Sequence, residues 1–464
     1  MSFKKESSLD FLEDNTLFVY QKRVIKRLIS CNHGLIAYHT MGSGKTLIAL
    51  KTLALFKGKK IILCPASTIQ NYYKEASIYS ISIDNETEIL SYEYFLKHIN
   101  MYKNIQISLL ICDEAHRLRN KDTRTYTDIK KICGNAEKIL MLTGTAEYNQ
   151  PSDICNLINL IDPKKNCPNT LSKFCRRYIE PSSGELKRKE ELKSLLKEFV
   201  DFNPTITEEN RLPRVTTKLI KVPMSETQYR LYKYVLKKLP FLLRRAVSNN
   251  IPLSLPSTAL INLYSTAARQ VSLSTIRYDI NYRIEDCPKL LTAINNLLIN
   301  SQKERFRAIV YSNYIQSGLL PYKSILEKKG ITPLLFIGSV SQKEKHRIVE
   351  LYNSNNDSPI ILLISSSGGE GLDLKGTRLI QILEPHFNLS KINQVKARGI
   401  RLDSHESLPE NEHEVLIEEY FSILPVSKIS RFFGIKTKTS IDEYLYESSI
   451  RKQKIIQKII ELMK

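Results

Sequence analysis

Two adjacent carboxylates, Asp113 and Glu114, are the residues of this sequence best suited to chemistry, within the segment ICDEAHRLRN. The apolar residues before them predict a buried strand, and the carboxyl ends of such strands are where α/β folds bind ligands. Carboxylate oxygens bind Mg²⁺ and orient water, so we expect Asp113 to hold the metal and Glu114 to polarise an attacking water molecule. An exposed acidic pair in a loop is the alternative interpretation.

A glycine-rich turn, TMGSGKT at 40–46, follows the apolar run GLIAY. Backbone N–H groups of such a turn close around phosphates, and the helix N-terminus after it adds positive potential. Lys45 would reach the β- and γ-phosphates of ATP, and the Thr46 hydroxyl would share Mg²⁺ with Asp113. The full phosphate-loop pattern has Gly where His39 stands, so a glycine turn with a surface lysine is the alternative. The predicted contacts to ATP in this turn are Met41, Gly42, Ser43, Gly44, Lys45 and Thr46.

Two weaker signals lie on either side of these motifs. Gln21, in LFVYQKRVIKRL, has an amide that can pair with adenine, although a lone Gln more often has a structural role. Thr143 and Thr145, in LTGTAEYNQ at 142–150, follow a predicted strand end. They could couple the γ-phosphate site to movement between domains.

The second half supplies groups that a phosphate loop alone lacks. SSSGGEGLDL at 365–374 is a Gly-rich turn after a predicted strand, and QVKARGIRLDSH spans 394–405. The spacing of Gln394, Arg398 and Arg401 predicts that they share one helix face. Arginines delivered to a phosphate from another domain stabilise transition-state charge. A solvated basic helix face is the alternative.

Composition limits the class of protein and of partner. The chain has 464 residues and a net charge of +21, which favours a polyanionic partner, with the Lys-codon preference of a low-GC genome as the alternative. The eight Cys residues are scattered, without the short spacing of a zinc site, which fits a reducing compartment. The start, MSFKKESSLD, has no apolar signal region, and no apolar run reaches transmembrane length. We therefore expect a soluble intracellular protein without membrane contact.

The predicted elements alternate between strands and helices at both ends of the chain. Alternation of this kind predicts parallel sheets covered by helices on both faces, with a mostly helical insertion between them. The predicted domains are 1–163, 164–285 and 286–464, the last ending in a helix. Predicted strands are 34–38, 60–64, 109–112, 138–142, 308–311, 360–365 and 377–383, and predicted helices include 46–56, 189–199, 225–238 and 440–464.

Taken in order, these motifs and ILCPASTIQNYYKE resemble superfamily 2 helicases, and among them the Swi/Snf-type DNA-dependent ATPases. SSSGGEG with ARGIRLDSH is closer still to the nucleoside triphosphatase I group of poxviruses and related large DNA viruses, as are LPENEHEV and IDEYLYE. The resemblance implies two RecA-like P-loop domains with ATP between them and nucleic acid across both. It implies adenine contact for Gln21 and a coupling loop containing Gly371 and Asp373. It also implies that Gln394, Arg398 and Arg401 complete the site, with Arg401 as the arginine finger.

Three departures from the family pattern leave the charged catalytic groups in place. His39 and Thr40 replace an acidic pair, Ala146 stands where Pro is usual, and Ala397 stands where many helicases have Gly. The resemblance therefore predicts an ATP-dependent motor, with duplex DNA favoured and RNA as the other possible track. The resemblance also predicts a role in viral transcription or genome handling, with viral RNA polymerase or packaging proteins as partners. Such a protein would act in the host cytoplasm or the virion. A strand-separating helicase and a catalytically dead nucleic-acid-binding scaffold are the alternatives.

A motor that moves along any sequence should grip phosphates rather than bases. For the basic clusters, a solvated protein face is the alternative interpretation. The candidate contacts are Ser67, Thr68, Asn313, the serines at 365–367, Arg176 with Arg177, 187–189, and Arg244 with Arg245.

Overall fold

The computed structural model describes residues 16–40, 43–144, 150–180, 184–204, 212–279, 281–354, 358–365, 374–401, 404–425 and 438–464. The chain divides into two compact units. The first comprises Met1–Thr207 with Lys454–Lys464, and the second comprises Glu208–Gln453. Each unit is built on one parallel sheet of six strands, as the strand–helix alternation predicts.

The sheet of the first unit has the strand order β3-β2-β4-β5-β1-β6. Its central strands are buried along their whole length, because runs such as GLIAYH and ISLLIC have helices on both faces. Gly34 is required at the start of β1, since a Cβ there would lie 2.2 Å from the carbonyl oxygen of Ile139. The strands are β1 (Gly34–His39), β2 (Lys60–Cys64), β3 (Thr87–Ser91), β4 (Ile107–Cys112), β5 (Ala136–Thr143) and β6 (Val200–Asn203).

Amphipathic helices cover this sheet. Helices α1 and α2 pack their apolar faces with β1, β2 and β4 into one core. The helices are α1 (Val19–Ser30), α2 (Lys45–Leu53), α3 (Ile69–Ile78), α4 (Tyr92–Lys97), α5 (Arg124–Cys133), α6 (Asp153–Ile161), α7 (Leu171–Tyr178) and α8 (Lys189–Phe199).

The sheet of the second unit has the order β7-β12-β11-β8-β10-β9. The long edge strand β7 pairs with β12 over ten residues and is exposed along most of its length. Its Lys and Thr side chains keep such an edge from pairing with other chains. The strands are β7 (Arg214–Pro223), β8 (Arg307–Tyr311), β9 (Leu334–Phe336), β10 (Ile360–Ile364), β11 (Leu379–Ile382) and β12 (Glu414–Ile423).

Most helices of the second unit lie between its strands along the chain, and α17 follows the last strand, β12. The last helix contributes residues to both units, because Lys454–Lys464 belong to the first unit. The helices are α9 (Glu226–Leu236), α10 (Phe241–Ser248), α11 (Leu255–Tyr264), α12 (Thr266–Leu273), α13 (Pro288–Asn300), α14 (Leu320–Lys328), α15 (Gln342–Asn353), α16 (Leu389–Gly399) and α17 (Ile441–Glu461).

The predicted strands are confirmed as β1, β2, β4, β5, β8, β10 and β11, and the predicted helices as α2, α8, α9 and α17. The region 164–285 is rich in helices, but it also contains β6 and β7, which the helical texture does not predict. The predicted domain boundaries at 163 and 285 stay a prediction. In the described part of the chain, no helix combines the length and the apolar character that crossing a membrane requires.

Candidate active site

The phosphate-binding turn is shaped by Gly44, which caps the N-terminus of α2 with a φ of 68°. Only glycine adopts this left-handed conformation without cost, and a Cβ at this position would also lie 2.5 Å from Nε2 of Gln21. The turn therefore delivers the first N–H groups of α2 toward a ligand. Thr46 lies in the first turn of this helix and is half-buried, while Met41 and Gly42 lie outside the described residues.

Lys45 points back into this turn. Its Nζ donates to the carbonyl oxygens of Thr40 at 3.0 Å and His39 at 3.4 Å. Burial lowers the pKa of Lys45, and the nearby carboxylates of Glu114 and Asp113 oppose that effect. The structure thus brings together the three charged groups of the first unit that the sequence predicts to act on ATP.

Asp113 directly follows β4 and is held in place by two donors. The Tyr72 hydroxyl donates to its Oδ2 at 3.0 Å, and the Glu114 N–H donates to its Oδ1 at 2.9 Å. Burial, followed by repulsion from Glu114, raises the pKa of Asp113 to about 6. A buried carboxylate of this kind gains stability from a cation, which fits the predicted Mg²⁺ site.

The described residues contain no group of three or more His, Cys, Asp or Glu side chains that could hold a metal ion. Mg²⁺ is commonly held by one or two protein oxygens, with phosphates and waters completing its octahedron. Asp113 and the Thr46 hydroxyl fit that pattern. Among the described residues, Ser43 Oγ, in the turn, and Thr143 Oγ1, at the end of β5, are buried without a hydrogen-bond partner, so polar atoms remain there for a ligand.

Glu114 has a strained backbone, with a φ of 50° that non-glycine residues rarely adopt. Such strain costs about 1–3 kcal/mol and concentrates at functional sites. Burial raises the pKa of Glu114, but the contact from its Oε2 to His116 Nδ1, at 3.1 Å, and the charge of Lys45 outweigh burial. The net pKa is lowered, so Glu114 remains an ionised carboxylate able to accept a proton or orient water.

Gln21 is buried on α1, with its amide engaged by backbone groups. Its Nε2 donates to the carbonyl oxygens of Ser43 at 3.1 Å and Gly44 at 3.4 Å, and its Oε1 accepts from the N–H of Phe18 at 2.8 Å. The Tyr20 hydroxyl also donates to the Ser43 carbonyl, at 3.0 Å. The start of α1 therefore supports the phosphate-binding turn, and adenine contact by Gln21 stays a prediction.

A buried charge network, which sequence reasoning missed, supports the turn from β6. Asp201 Oδ1 lies 2.9 Å from Nε2 of His39, and both side chains are fully buried. Arg23 and Arg27 of α1 also donate to this carboxylate, Arg23 through two bonds of 2.8 Å. Burial alone would raise the pKa of Asp201, but the bonds from His39 and Arg23 hold it well below its usual range. The His39 that replaces glycine in the loop pattern thus has a structural partner.

Two tyrosines and a histidine around the carboxylates were also not predicted as site residues. Tyr72 lies in the quoted segment ILCPASTIQNYYKE, and Tyr92 donates to the backbone carbonyl of Asp113 at 2.7 Å. His116 belongs to the DEAH run itself, so adjacency to Glu114 could have indicated its role. No local pattern distinguishes Tyr72 or Tyr92 from other core tyrosines.

The second unit carries the other predicted site residues. Gln394 and Arg398 lie on α16, which ends at Gly399, so Arg401 lies beyond the helix and does not share its face. The Arg401 side chain is held near the helix end by a bond from its Nε to the Ala397 carbonyl at 3.2 Å. Gly371 and Asp373, like Thr145 in the first unit, lie outside the described residues.

The segment that follows the Gly-rich turn is tied to α16. The N–H of Leu374 donates to the carbonyl oxygen of Arg398 at 3.3 Å. Gly399 packs so closely on Thr377 that an added Cβ would lie 2.9 Å from that side chain. The structure therefore brings the end of the predicted coupling loop next to Arg398.

Comparisons with known proteins identify two matching domain families and several relatives. The SNF2-related domain family matches residues 80–274, and the helicase conserved C-terminal domain matches residues 289–403. A protein of Acanthamoeba polyphaga mimivirus, named as an ATP-dependent RNA helicase, is 30% identical over 454 residues, which cover 96% of each chain. The termination factor NPH-I homolog of an African swine fever virus isolate is 24% identical and matches 93% of this chain and 75% of that protein.

Among solved structures, the Sulfolobus solfataricus SWI2/SNF2 ATPase core in complex with dsDNA aligns over 96% of this chain and 94% of that one. Its identity is 15% and its TM-score is 0.36, values too low to argue from. The family assignment rests on three other observations: the family matches, the mimivirus relative and the two parallel-sheet units. This chain therefore belongs to the SNF2-related family of helicase-type ATPases, motors that couple ATP hydrolysis to work on nucleic acid.

Proposed function

We propose that this protein translocates along duplex DNA and that DNA stimulates its ATP hydrolysis. The observation that carries the proposal is the cluster of Lys45, Asp113 and Glu114 beside the N-terminus of α2. Phosphoryl transfer to water needs positioning and charge stabilisation more than covalent chemistry, and this cluster supplies both. The excess of 69 Lys and Arg over 48 Asp and Glu suits a phosphate-bearing track.

Each residue of the cluster has a role that follows from its surroundings. Lys45, now bonded to backbone carbonyls, exchanges them for the β- and γ-phosphate oxygens of ATP. Thr46 and Asp113 would hold Mg²⁺, which would neutralise phosphate charge. Glu114, whose lowered pKa keeps it ionised, orients the attacking water and receives its proton.

Arg398 and Arg401 are proposed to stabilise the charge that develops on the transferred phosphoryl group, with Gln394 assisting in positioning. An arginine in this role contributes about 10³–10⁵ in rate. Replacing Arg401 with Ala should therefore lower kcat while leaving ATP binding nearly unchanged. Arg347→Ala, which removes an exposed arginine of α15 paired with Glu344, is the matched control.

The biological setting is proposed from the relatives. The two relatives are proteins of Acanthamoeba polyphaga mimivirus and African swine fever virus, and the second is named as a termination factor homolog. We propose a role in viral transcription inside the infected cell or the virion, with viral RNA polymerase as a partner. Co-purification of tagged protein with the polymerase from infected cells would test this.

The decisive experiment measures phosphate release with no nucleic acid, single-stranded DNA, duplex DNA or RNA. The proposal expects the largest stimulation with duplex DNA, and hydrolysis abolished in Glu114→Gln and Lys45→Ala. Hydrolysis at the parent rate in these variants would overturn the site assignment. Absence of stimulation by DNA would overturn the proposed track.

A strand-separating helicase acting on RNA is the second candidate, because the mimivirus relative is named as an RNA helicase. Unwinding assays on RNA, DNA and hybrid duplexes distinguish it from a translocase. ATP-dependent release of a labelled RNA strand would favour this candidate. Displacement of a triplex-forming strand from intact duplex DNA would favour translocation.

A further inference from the structure

Two consecutive helices of the second unit, α9 and α10, direct basic and aromatic side chains toward one cavity. Spacings of three and four residues place the contributing side chains on one face of each helix. They are Tyr229, Lys233 and Lys237 on α9 and at its end, and Phe241, Arg244 and Arg245 on α10. None of them belongs to the ATP site.

The cavity, which we call the α9–α10 pocket, has a volume of about 540 Å³. Lys438 adds a fifth cationic side chain to its lining, and none of the described lining residues is Asp or Glu. Pockets of about 300–1,000 Å³ typically hold small ligands or parts of larger ones. Size and charge together indicate an anionic ligand.

The cations of the pocket are also without carboxylate partners in the described part of the chain. Lys233 Nζ lies 4.5 Å from the Tyr229 ring centroid, and an Arg244 guanidinium nitrogen donates to the Lys237 carbonyl at 3.2 Å. Arg177, in another predicted basic cluster, instead lies 2.6 Å from Glu191. The charge in the α9–α10 pocket is therefore available to a ligand, whereas that of Arg177 is already neutralised.

An exposed aromatic ring stands at this pocket. Phe241 is 64% exposed, although burying its ring would be favourable. The Arg244 guanidinium carbon lies 5.7 Å from the Phe241 ring centroid. An exposed ring beside unpaired cations is the combination that binds single-stranded nucleic acid, in which phosphates meet the charges and bases stack on the ring.

We propose that the α9–α10 pocket binds an unpaired nucleotide of a nucleic-acid strand, with phosphates on its lysines and arginines and a base on Phe241. The inference rests on the proposed function in taking nucleic acid as the partner. A base inside a duplex exposes only its edges, so the ring favours a single strand. An acidic protein segment would match the charge but would leave the exposed ring without a stacking partner.

The test uses the full-length protein and fluorescein-labelled 15-mer oligothymidylate, with affinity measured by anisotropy over a series of NaCl concentrations. Lys237→Ala/Arg245→Ala should weaken binding and make the slope of log affinity against log salt shallower by about 1.4, at about 0.7 for each phosphate contact. Phe241→Leu should weaken binding about tenfold, the loss of one stacked base. Lys328→Ala/Lys329→Ala removes the same charge from exposed positions at the end of α14 and should change neither quantity.

Each outcome decides for or against the pocket. An unchanged salt slope in the double variant, or equal weakening by the Lys328/Lys329 control, overturns the proposal. Stronger competition by poly-glutamate than by oligothymidylate also overturns it and indicates an acidic protein partner. Basal hydrolysis should be unchanged in all variants. If DNA fails to stimulate hydrolysis while pocket-dependent binding persists, the proposed function fails and the pocket stands.

Discussion

The two sheets each place a buried carboxylate at the carboxyl end of a central strand, but they use it differently. Asp113 follows β4 in the first unit, and Glu384 follows β11 in the second. Burial raises the pKa of Asp113 to about 6 and that of Glu384 to about 7. Similar desolvation therefore acts on both groups, and their neighbours decide what each group can do.

Glu384 is held by two donors of the second unit. Its Oε2 accepts from the Ser312 hydroxyl at 2.8 Å and its Oε1 accepts from the Asn313 N–H, so it ties the segment after β8 to the end of β11. The bond uses the backbone N–H of Asn313, and phosphate contact by its side chain stays a prediction. Asp113 has the same two kinds of donor, the Tyr72 hydroxyl and the Glu114 N–H, but it also lies in the field of Lys45, whose bonds to backbone carbonyls can exchange.

The comparison teaches that position at a strand end does not make a catalytic carboxylate. Each oxygen of both carboxylates accepts one bond from the fold. We call Glu384 saturated because its bonds only join two segments of the fold, and Asp113 exchangeable because Lys45 beside it can move to a ligand. Asp201 is an extreme of the first kind, since Arg23, Arg27 and His39 all contact it. The predictions below replace saturated and exchangeable groups in matched ways.

The largest difference is expected from the same amide substitution at the two strand ends. Asp113→Asn keeps an acceptor for Tyr72 but removes the charge that would hold Mg²⁺, so kcat should fall at least about 100-fold. Glu384→Gln should leave hydrolysis within a few-fold of the parent. Phosphate release at saturating ATP measures both, with circular dichroism confirming the fold. Equal losses in the two variants would contradict the distinction between them.

The next largest effect is expected at Asp201, on stability. Asp201→Ala leaves Nε2 of the buried His39 without its partner and removes the bonds from the partly exposed Arg23 and Arg27, which should lower the free energy of unfolding by about 1–3 kcal/mol. The chain has no Trp, so Tyr94→Trp, at a half-exposed position of the first unit, provides a fluorescence reporter for urea unfolding.

The control for Asp201 is Glu198→Ala, which breaks the exposed ion pair with Lys165 and should cost less than about 1 kcal/mol. The Thr40 N–H also donates to the carbonyl oxygen of Asn203 on β6. Asp201→Ala should therefore raise the KM for ATP more than Glu198→Ala does. Equal destabilisation by the two variants would show that the buried network is not special.

These differences separate what the sequence predicts from what it cannot. Lys45, Asp113 and Glu114 were predictable because each lies in a short motif next to an apolar run. Asp201 was not, because 162 residues separate it from His39 and β6 is only four residues long. β7 was missed because most of its side chains are exposed, so it lacks the apolar pattern of a buried strand.

A smaller effect is expected from Glu384 on the pH dependence of the free energy of unfolding. The folded pKa of Glu384 is raised from 4.5 to about 7, so the folded state keeps a proton that the unfolded chain releases. Its contribution to stability is complete below pH 4.5 and declines between pH 4.5 and 7, by up to about 1.4 kcal/mol per pH unit. Glu384→Gln should remove this decline.

The pKa of His386, two residues away, is shifted in the opposite direction to that of Glu384. Burial, followed by repulsion from Arg269, Lys391 and Lys452, lowers the pKa of His386 from 6.5 to about 3. Its contribution is present above pH 6.5 and declines as the pH falls toward 3. Urea unfolding with Tyr234→Trp as the reporter of the second unit should show the difference between Glu384→Gln and parent growing from pH 4.5 to 7. A constant difference would contradict the assignment to Glu384.

The smallest effect is expected at Gln21, and it asks whether this amide is saturated or exchangeable. Its Nε2 and Oε1 are both bonded to backbone groups that shape the turn, so its partners are structural, as those of Glu384 are. Gln21→Ala should loosen the turn at Ser43 and lower kcat/KM about fivefold, the loss of about one buried hydrogen bond. If the amide only supports the turn, kcat/KM should fall equally for ATP and for GTP. If the amide recognises adenine, kcat/KM should fall for ATP alone. Measuring both nucleotides against the exposed-site control Gln70→Ala decides between them, because any general change in the enzyme cancels in the ratio.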